Sequence, residues 1–335
     1  MKAVIFEKPG IENLRINHDV EQPKITDHDV LIRVKMAGVN PFDHITISGT
    51  REIKPLPHIP GAETSGEIEK IGEHVSRLKK GDRVIVYNRV FDGTCDMCLN
   101  QSEMLCRNGG KEIGLVTNGG FAEYIAVPEK NVFKIPDDMQ WELAASIPVT
   151  TLTPYHALKQ AALKIDEFLV VFGASGNTGM MATQLGKKMG AKVIAVSKDN
   201  WIKDFGADYS ITEYDRVAEK VNELTQGKMA DVVLNSLGIQ TWENSFASVG
   251  LNGRWVTFGG LTGADVKLNI QSLYSKQVRL IGSTGGTRKE ITELIDMSKE
   301  LKTRVWKKFM LDEAKEALQA LFDKARDGRI LLKVS

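Results

Sequence analysis

Four side chains of one short segment have the chemistry and the spacing of metal ligands. They are Asp92, Cys95, Cys98 and Cys106, in the pattern D-x2-C-x2-C-x7-C. Three thiolates at this spacing can converge on one Zn²⁺ in tetrahedral geometry, and a carboxylate can supply the fourth ligand. A closed site with four protein ligands stabilises a loop and performs no chemistry. The segment therefore predicts one structural zinc ion per chain.

The identity of the carboxylate ligand is the open part of this prediction. Asp96 or Glu103 could take the place of Asp92, and three ordinary thiols in a surface loop are the alternative to a metal site. The chain has three cysteines, all within this segment. An odd number in one short stretch argues against a disulfide framework. A nucleophilic cysteine is also not expected, because metal binding would occupy all three.

A glycine-rich turn is the second candidate site. Its sequence, G-A-S-G-N-T-G, consists of Gly173, Ala174, Ser175, Gly176, Asn177, Thr178 and Gly179. Such glycines permit a sharp turn and a close approach of the backbone to a pyrophosphate, which the N-terminus of the following helix attracts. A buried strand is predicted before the turn at Phe168–Phe172, a helix from about Thr178 to Met189, and a second strand at Val193–Val196. Together these elements predict a dinucleotide cofactor, and the alternative is a loop that only connects.

The residues after the second strand indicate which dinucleotide binds. An acidic side chain there would bind the ribose 2′-hydroxyl of NAD. The chain has Ser197 and Lys198 instead, and a hydroxyl and a cation suit a 2′-phosphate. The sequence therefore favours NADPH over NADH, although Asp199 stands one residue further on and could compete.

The 335 residues are enough for two domains, each with its own core. Short strands dominate up to residue 134, and helices alternate with strands afterwards, which predicts an α/β protein with a β-rich domain and a doubly wound parallel-sheet domain. The expected ranges are 1–134, with a metal-binding lobe at about 88–112, then 135–285, and a tail at 286–335 that returns to the first domain.

The composition excludes several classes of partner. Lys and Arg number 44 against 43 Asp and Glu, so the formal charge of +1 gives no case for nucleic acid or an anionic membrane surface. No apolar run is long enough to span a membrane, and the N-terminus lacks the apolar core of a signal peptide. A cytoplasmic protein acting on a small-molecule substrate is the resulting expectation.

The order of these parts resembles the medium-chain dehydrogenase/reductase superfamily over essentially the full length. The resemblance implies a GroES-like fold for the first domain and a Rossmann fold for the second. In the alcohol dehydrogenase branch, four ligands at the spacing of the 92–106 segment hold a structural zinc. Those ligands are usually cysteines, so Asp92 is a mild departure.

That branch also has a catalytic zinc, and here the departure is severe. The family's cysteine after the strand matches Asn40, the histidine of its glycine-histidine-glutamate motif matches Ala62, and the later cysteine matches about Val149. Glu63 is retained, and one carboxylate does not hold a catalytic zinc. Phe42 stands where zinc alcohol dehydrogenases place a proton-relaying hydroxyl. The resemblance therefore implies a structural zinc without a catalytic one.

Two segments are similar to those that line the nicotinamide pocket of zinc-free quinone and enoyl reductases, namely GVNPFD at Gly38–Asp43 and PVTTLTPYHAL at Pro148–Leu158. Hydride addition to an activated alkene spreads charge onto a carbonyl oxygen, which hydrogen-bond donors can stabilise. The candidates are Asn40, Thr150 and Tyr155. Their alternative roles are a turn residue, a helix cap and a core aromatic, in that order.

The resemblance implies further cofactor contacts at Phe258, Gly259, Gly260 and Ser283, and a pyrophosphate contact at Arg329, for which a solvated surface charge is the alternative. It also implies a homodimer or homotetramer that pairs strands near Val278–Gly282. The favoured function is an NADPH-dependent reductase of activated C=C bonds or quinones that acts without catalytic zinc. The alternatives are an alcohol dehydrogenase or carbonyl reductase, and an NADPH-binding protein without catalysis.

Overall fold

The computed structural model describes residues 1–53 and 55–335, which form two compact units. The first unit is Met1–Val149 with Thr287–Ser335, and the second is Thr150–Gly286. The strands are β1 (Ala3–Ile5), β2 (Arg15–Asn17), β3 (Asp29–Gly38), β4 (Glu63–Ile71), β5 (Arg83–Val86), β6 (Tyr124–Pro128), β7 (Val132–Lys134), β8 (Phe168–Phe172), β9 (Lys192–Val196), β10 (Tyr209–Ile211), β11 (Ala230–Leu234), β12 (Val249–Thr257), β13 (Arg279–Gly282), β14 (Val305–Met310) and β15 (Arg329–Lys333).

The α-helices are mostly short in the first unit and longer in the second. They are α1 (Pro41–Ile47), α2 (Asp96–Leu99), α3 (Trp141–Ala144), α4 (Leu152–Gln160), α5 (Asn177–Lys188), α6 (Val217–Leu224), α7 (Ile239–Ala247), α8 (Ile270–Ser275), α9 (Arg288–Asp296) and α10 (Ala314–Gln319). No helix among the described residues is long and apolar enough to cross a membrane.

The first unit is built on a seven-stranded sheet in the order β14-β15-β3-β4-β5-β7, with β6 also paired to β3. Apolar residues of β3 such as Ile32 and Val34 pack with Ile125 and Ile330 in one core. The last strand, β15, pairs antiparallel with β3 so that Leu331 lies opposite Gly38. This pairing brings Arg329 to the junction between β3 and α1.

The second unit contains a six-stranded parallel sheet in the order β10-β9-β8-β11-β12-β13. Val170, Ile194 and Val233 fill its core, as expected for strands that are buried on both faces. The order reverses between β8 and β11, and the carboxyl ends of strands at such a switch point are where doubly wound sheets bind ligands. The predicted fold class is confirmed.

The units divide at residues 149 and 150 and at 286 and 287, whereas the sequence predicts boundaries after 134 and after 285. The first difference has a packing cause. Trp141 and Ala145, in and just after α3, pack with Met36 of β3 and Leu331 of β15. The change from strand to helix after residue 134 is visible in the sequence, but the surface that the helix covers is not.

Candidate active site and metal centre

The cysteine lobe, residues 88–112, brings the four predicted metal ligands together. One ligand atom from each of Asp92, Cys95, Cys98 and Cys106 lies within 4.8 Å of the others. The Cys95 Sγ atom is 3.6 Å from Cys98 Sγ and 3.9 Å from Cys106 Sγ. Zn–S bonds of about 2.3 Å in a tetrahedron place sulfur atoms about 3.8 Å apart. The donor set and its spacing therefore fit a closed zinc site.

Amide groups of the lobe donate hydrogen bonds to the predicted metal ligands. The Arg107 N–H donates to Cys95 Sγ and the Asp92 N–H donates to Cys106 Sγ, both at 3.4 Å. The Asp92 carboxylate accepts the Thr94 N–H at 2.8 Å and the Asn108 side-chain amide at 2.6 Å. These two bonds, the Thr94 amide first, hold the pKa of Asp92 well below its usual range. Such donors orient metal ligands and stabilise their charge.

The other two candidate carboxylates have different surroundings. Asp96 forms a two-pronged ion pair with the Arg107 guanidinium, with oxygen to nitrogen distances of 2.5 and 2.7 Å. Glu103 is buried against Tyr87, whose pKa is raised by burial and by the Glu103 charge. Asp92 is therefore the carboxylate that the fold places with the three thiols.

The residues that match catalytic zinc ligands form a different kind of centre. Arg329 Nη2 lies 2.6 Å from Glu63 Oε2, and its Nη1 donates to Asn40 Oδ1 at 3.0 Å. The Asn40 amide donates to the same Glu63 oxygen at 2.8 Å, and the Val149 N–H donates to Glu63 Oε1 at 3.1 Å. Glu63 and Arg329 have no exposed surface. The name Glu63 cluster is used below for Asn40, Asp43, Glu63, Arg329 and the backbone N–H of Val149.

Asp43 adds a second buried carboxyl group to the cluster. Its two oxygens accept the N–H of Asn40 at 2.8 Å and the N–H of Ala62 at 3.0 Å. Burial raises the pKa of Asp43 to about 7, the charge of Glu63 adds to the rise, and the two amides and Arg329 oppose it. This carboxyl group therefore changes its charge near neutral pH.

Arg329 does not take the role that the sequence predicts. A pyrophosphate contact needs an accessible guanidinium, whereas this side chain is fully buried and binds Glu63 and Asn40. A buried carboxylate requires an opposite charge, and the pairing of β15 with β3 supplies one. The prediction for Arg329 is corrected to a buried ion pair.

The room for this ion pair depends on Gly38. A Cβ atom at this position would lie 2.2 Å from Glu63 Oε2 and 2.3 Å from Arg329 Nη2. The pairing is not visible in the sequence, because its partners are 266 residues apart. The available signal was a glutamate retained where the neighbouring zinc ligands are lost, since such a charge needs a new partner when it is buried.

The glycine turn has the geometry that a pyrophosphate requires. Gly173 has a φ of +68°, and a Cβ atom at Gly179 would lie 2.1 Å from the Gly173 carbonyl oxygen. Helix α5 begins at Asn177, directly after Gly176. The first amides of a helix have no partner within it and point outward. The turn therefore fits an anionic group at the carboxyl end of β8.

The end of β9 is less simple than the sequence suggests. Ser197 is fully buried, its hydroxyl accepts the Asp199 N–H at 3.0 Å, and it lies 3.2 Å from the Asp199 carbonyl oxygen. The Ser197 hydroxyl therefore closes a local turn, which corrects its predicted contact with a 2′-phosphate. Lys198 is exposed. Burial raises the pKa of Tyr214, and the charge of the Asp199 carboxylate adds to the rise.

The remaining predicted residues fall into two groups in the second unit. Phe258, Gly259, Gly260 and Ser283 line one cavity of about 410 Å³ at the ends of β12 and β13. Thr150 is fully buried in the π-helical segment Ile147–Thr151 before α4, and Tyr155 is nearly buried within α4. Asn40 belongs to the first unit, so the three catalytic candidates come from both units.

Comparisons with known proteins agree with this architecture. Residues 26–137 match the family model "Alcohol dehydrogenase GroES-like domain", and residues 178–300 match "Zinc-binding dehydrogenase". An alcohol dehydrogenase of Geobacillus stearothermophilus is 34% identical over 345 residues and covers 100% of both chains. An acryloyl-coenzyme A reductase of Sulfurisphaera tokodaii is 29% identical and covers 99% of this chain and 100% of its own.

A solved structure gives the same result. The cobalt- and zinc-bound thermostable alcohol dehydrogenase from Pyrobaculum aerophilum is 36% identical, with a TM-score of 0.93 over 99% of both chains. The chain therefore belongs to the medium-chain dehydrogenase/reductase superfamily of oxidoreductases, which confirms the resemblance found in its sequence.

Proposed function

We propose that this member of the superfamily is an NADPH-dependent reductase that acts without a catalytic zinc on activated C=C bonds or quinones. The Glu63 cluster carries the proposal. Of the matched ligand positions, Glu63 alone has a metal-binding side chain, and this carboxylate is neutralised by Arg329. Asn40 is an amide, Ala62 has a methyl group, and Val149 contributes its backbone N–H. A zinc ion does not fit this donor set.

The chemistry follows from what a site without a Lewis acid can stabilise. Bound NADPH would supply a hydride, which adds to the β-carbon of an activated alkene and leaves an enolate. Hydrogen-bond donors suffice for the delocalised charge of an enolate, whereas the localised alkoxide of a simple ketone or aldehyde benefits from a metal. We assign the donors among Asn40, Thr150 and Tyr155, of which Tyr155 is the most exposed at 9% and Thr150 has no exposed surface. Because none is a strong acid at neutral pH, the α-proton comes from water.

The preference for NADPH rests on Lys198, which is exposed at the end of β9, and on the absence of a carboxylate at position 197. Asp199 is the competing feature, because a carboxylate near the end of the second strand binds the ribose hydroxyl in NAD-dependent folds. Lys198→Ala is expected to weaken NADPH more than NADH, and Asp199→Ala is expected to do the reverse. A Lys198→Ala variant with unchanged NADPH affinity would contradict the preference.

We also propose that Asp92, Cys95, Cys98 and Cys106 hold one structural zinc ion, because their atoms fit tetrahedral coordination. A homodimer is proposed from the edge of the parallel sheet. Strand β13 is the outer strand, its Leu280 is 41% exposed, and Ile270 and Tyr274 of α8 are 63% and 65% exposed. An edge strand with apolar neighbours is a template for pairing with a second chain. A homotetramer would add a further interface.

A second function is favoured by the relatives. The alcohol dehydrogenase of Geobacillus stearothermophilus is more similar to this chain than the acryloyl-coenzyme A reductase, at 34% against 29% identity. An alcohol dehydrogenase or carbonyl reductase that acts without catalytic zinc is therefore the alternative. It would need another group to stabilise the alkoxide.

One assay separates these possibilities. NADPH oxidation is followed on metal-quantified protein with enones and quinones, with matched saturated ketones and aldehydes, and with alcohols in the reverse direction. We expect turnover of the conjugated acceptors, with about one zinc ion per chain. A preference for plain carbonyls or alcohols would support the second function. NADPH binding without turnover of any acceptor would indicate a protein that only binds the cofactor. Two zinc ions per chain would contradict the proposal that the Glu63 cluster holds no catalytic zinc.

A further inference from the structure

A small cavity in the first unit contains charges that the proposed function does not use. It has a volume of about 290 Å³ and is lined by Gln101, Glu103, Phe133, Arg288, Lys289 and Thr292. This volume is close to the lower limit for small-molecule sites, about 300 Å³. The lining residues come from the cysteine lobe, from β7 and from the first two turns of α9. The cavity thus joins segments that are far apart in the chain.

The buried acid of this cavity has no partner. Glu103 is 7% exposed, and its Oε2 atom accepts no hydrogen bond from any described residue. No basic side chain in the described part of the chain lies within ion-pairing distance of it. Leaving a buried carboxylate oxygen without a donor costs free energy that folds normally avoid. The Oε2 atom of Glu103 therefore lacks a hydrogen-bond donor among the described residues.

Two cations face the same cavity, and the structure fixes one of them. The Arg288 Nε atom donates to the Lys130 carbonyl oxygen at 3.0 Å, and the guanidinium lies 5.7 and 5.6 Å from the ring centres of Phe91 and Phe133. Neither Arg288 nor Lys289 forms an ion pair with a carboxylate among the described residues. The guanidinium is thus held in position by groups that leave its charge uncompensated.

The geometry points to a binding site for a small amino acid, with the ligand ammonium on Glu103 and the ligand carboxylate on Arg288 and Lys289. Each ligand group then forms a charge-assisted hydrogen bond with a side chain of opposite charge. Two cations and one anion leave the site with a charge of +1, which a dicarboxylic amino acid such as aspartate balances. The site lies within the first unit, and it stands or falls independently of the proposed reductase activity.

The test is isothermal titration calorimetry on the full-length, zinc-loaded protein at constant ionic strength. The probes are L-aspartate, succinate, which lacks the ammonium group, and inorganic phosphate. We expect aspartate to bind one site per chain and more tightly than succinate or phosphate. Glu103→Gln should weaken aspartate by about tenfold, as expected for the loss of a charged hydrogen-bond partner, and should not weaken succinate.

Lys289→Ala should weaken both aspartate and succinate, and it keeps the test decisive if Glu103→Gln does not fold. Glu316→Gln and Lys8→Ala are the matched controls, since both side chains are exposed and neither lines the cavity. The inference is overturned if aspartate gives no heat at millimolar concentration. It is also overturned if aspartate affinity is unchanged in the Glu103 or Lys289 variant, or if phosphate binds as well as aspartate.

Discussion

The first unit holds two polar clusters that the superfamily resemblance relates to metal binding, and they have opposite charge balance. In the cysteine lobe, three thiols and the Asp92 carboxylate converge, and backbone amides rather than cations stabilise them. In the Glu63 cluster, a guanidinium already neutralises the carboxylate that remains. Convergence of polar side chains is common to both. Uncompensated negative charge is what distinguishes a metal site from a buried ion pair.

The clusters also differ in burial. Glu63 and Arg329 have no exposed surface, so their charges must balance within the fold, and Gly38 leaves the space that this requires. The lobe is partly exposed, and a divalent cation can reach it from solvent. Four substitutions test whether charge balance and burial separate the two clusters.

The largest effect is expected when a zinc ligand is removed. Cys95→Ser should lower zinc content from about one ion per chain to almost none, because three remaining ligands leave the site open. Stability should fall with it, since structural zinc contributes on the order of 10 kcal/mol to the folding of small zinc domains. Elemental analysis and thermal unfolding measure the two effects. Leu99→Ala, at a side chain 71% exposed within the lobe, is the control. Full zinc content in Cys95→Ser would show that these residues are not the ligands.

Breaking the buried ion pair comes next. Arg329→Met should cost about 3–5 kcal/mol, because it leaves Glu63 charged and buried without its partner. Adding Glu63→Gln to Arg329→Met should restore part of the loss. Urea unfolding gives the free energies. The control is Arg216→Met, which removes a surface ion pair with Glu219 and should change stability by less than about 1 kcal/mol. Equal effects at the two arginines would contradict the contrast between buried and exposed charge.

The pKa of Asp43 makes the stability of the Glu63 cluster depend on pH. Burial raises this pKa from 3.8 to about 7. The protonated Asp43 carboxyl makes its full contribution to stability below about pH 4, and this contribution is lost as the pH rises through about 7. It amounts to about 1.4 kcal/mol for each pH unit by which burial raises the pKa.

The free energy of unfolding should therefore fall between about pH 4 and pH 7 by more in the natural chain than in Asp43→Asn. Asp19→Asn, at an exposed position, should keep the natural slope. Identical slopes in the natural chain and Asp43→Asn would show that Asp43 is already ionised at low pH.

The smallest effect, on zinc affinity, is expected at Asn108, which donates a hydrogen bond to a metal ligand and does not bind the metal itself. Asn108→Ala removes the amide that donates to Asp92 Oδ2. Loss of such a partner lowers metal affinity by about 10–100-fold. Competition with a chelator measures this affinity, and Asn100→Ala, an exposed asparagine of the same lobe, is the control. Unchanged zinc affinity in Asn108→Ala would show that Asp92 does not depend on this hydrogen bond.

The same contrast explains how much could be predicted from the sequence. The four lobe ligands and the glycine turn are local motifs, so their spacing along the chain already defines their geometry. The Glu63 cluster depends on the pairing of β15 with β3, and no local sequence pattern predicts that Arg329 binds Glu63. The orientation of the Ser197 hydroxyl at the end of β9 could not be predicted either, because it depends on hydrogen bonds with the backbone of Asp199.

The fold class could be predicted because the change from short strands to alternating helices and strands is a property of long stretches. The division of the units after residue 149 could not be predicted, because the packing of Trp141 against Met36 is a tertiary contact. The burial of Thr150 and Tyr155 also depends on tertiary packing, which residue type alone does not specify.

The position of β15 at the end of the chain has a consequence for synthesis. Residues 150–286 form a continuous unit that leaves the ribosome complete. The first unit must wait, because β15 and Arg329 follow residues 150–286 in the chain. Domains generally fold in the order in which they are made. In this chain the unit whose synthesis begins first is completed after the second unit. Until β15 is made, Glu63 lacks its counter-charge Arg329, and β3 has an unpaired edge along Met36–Gly38.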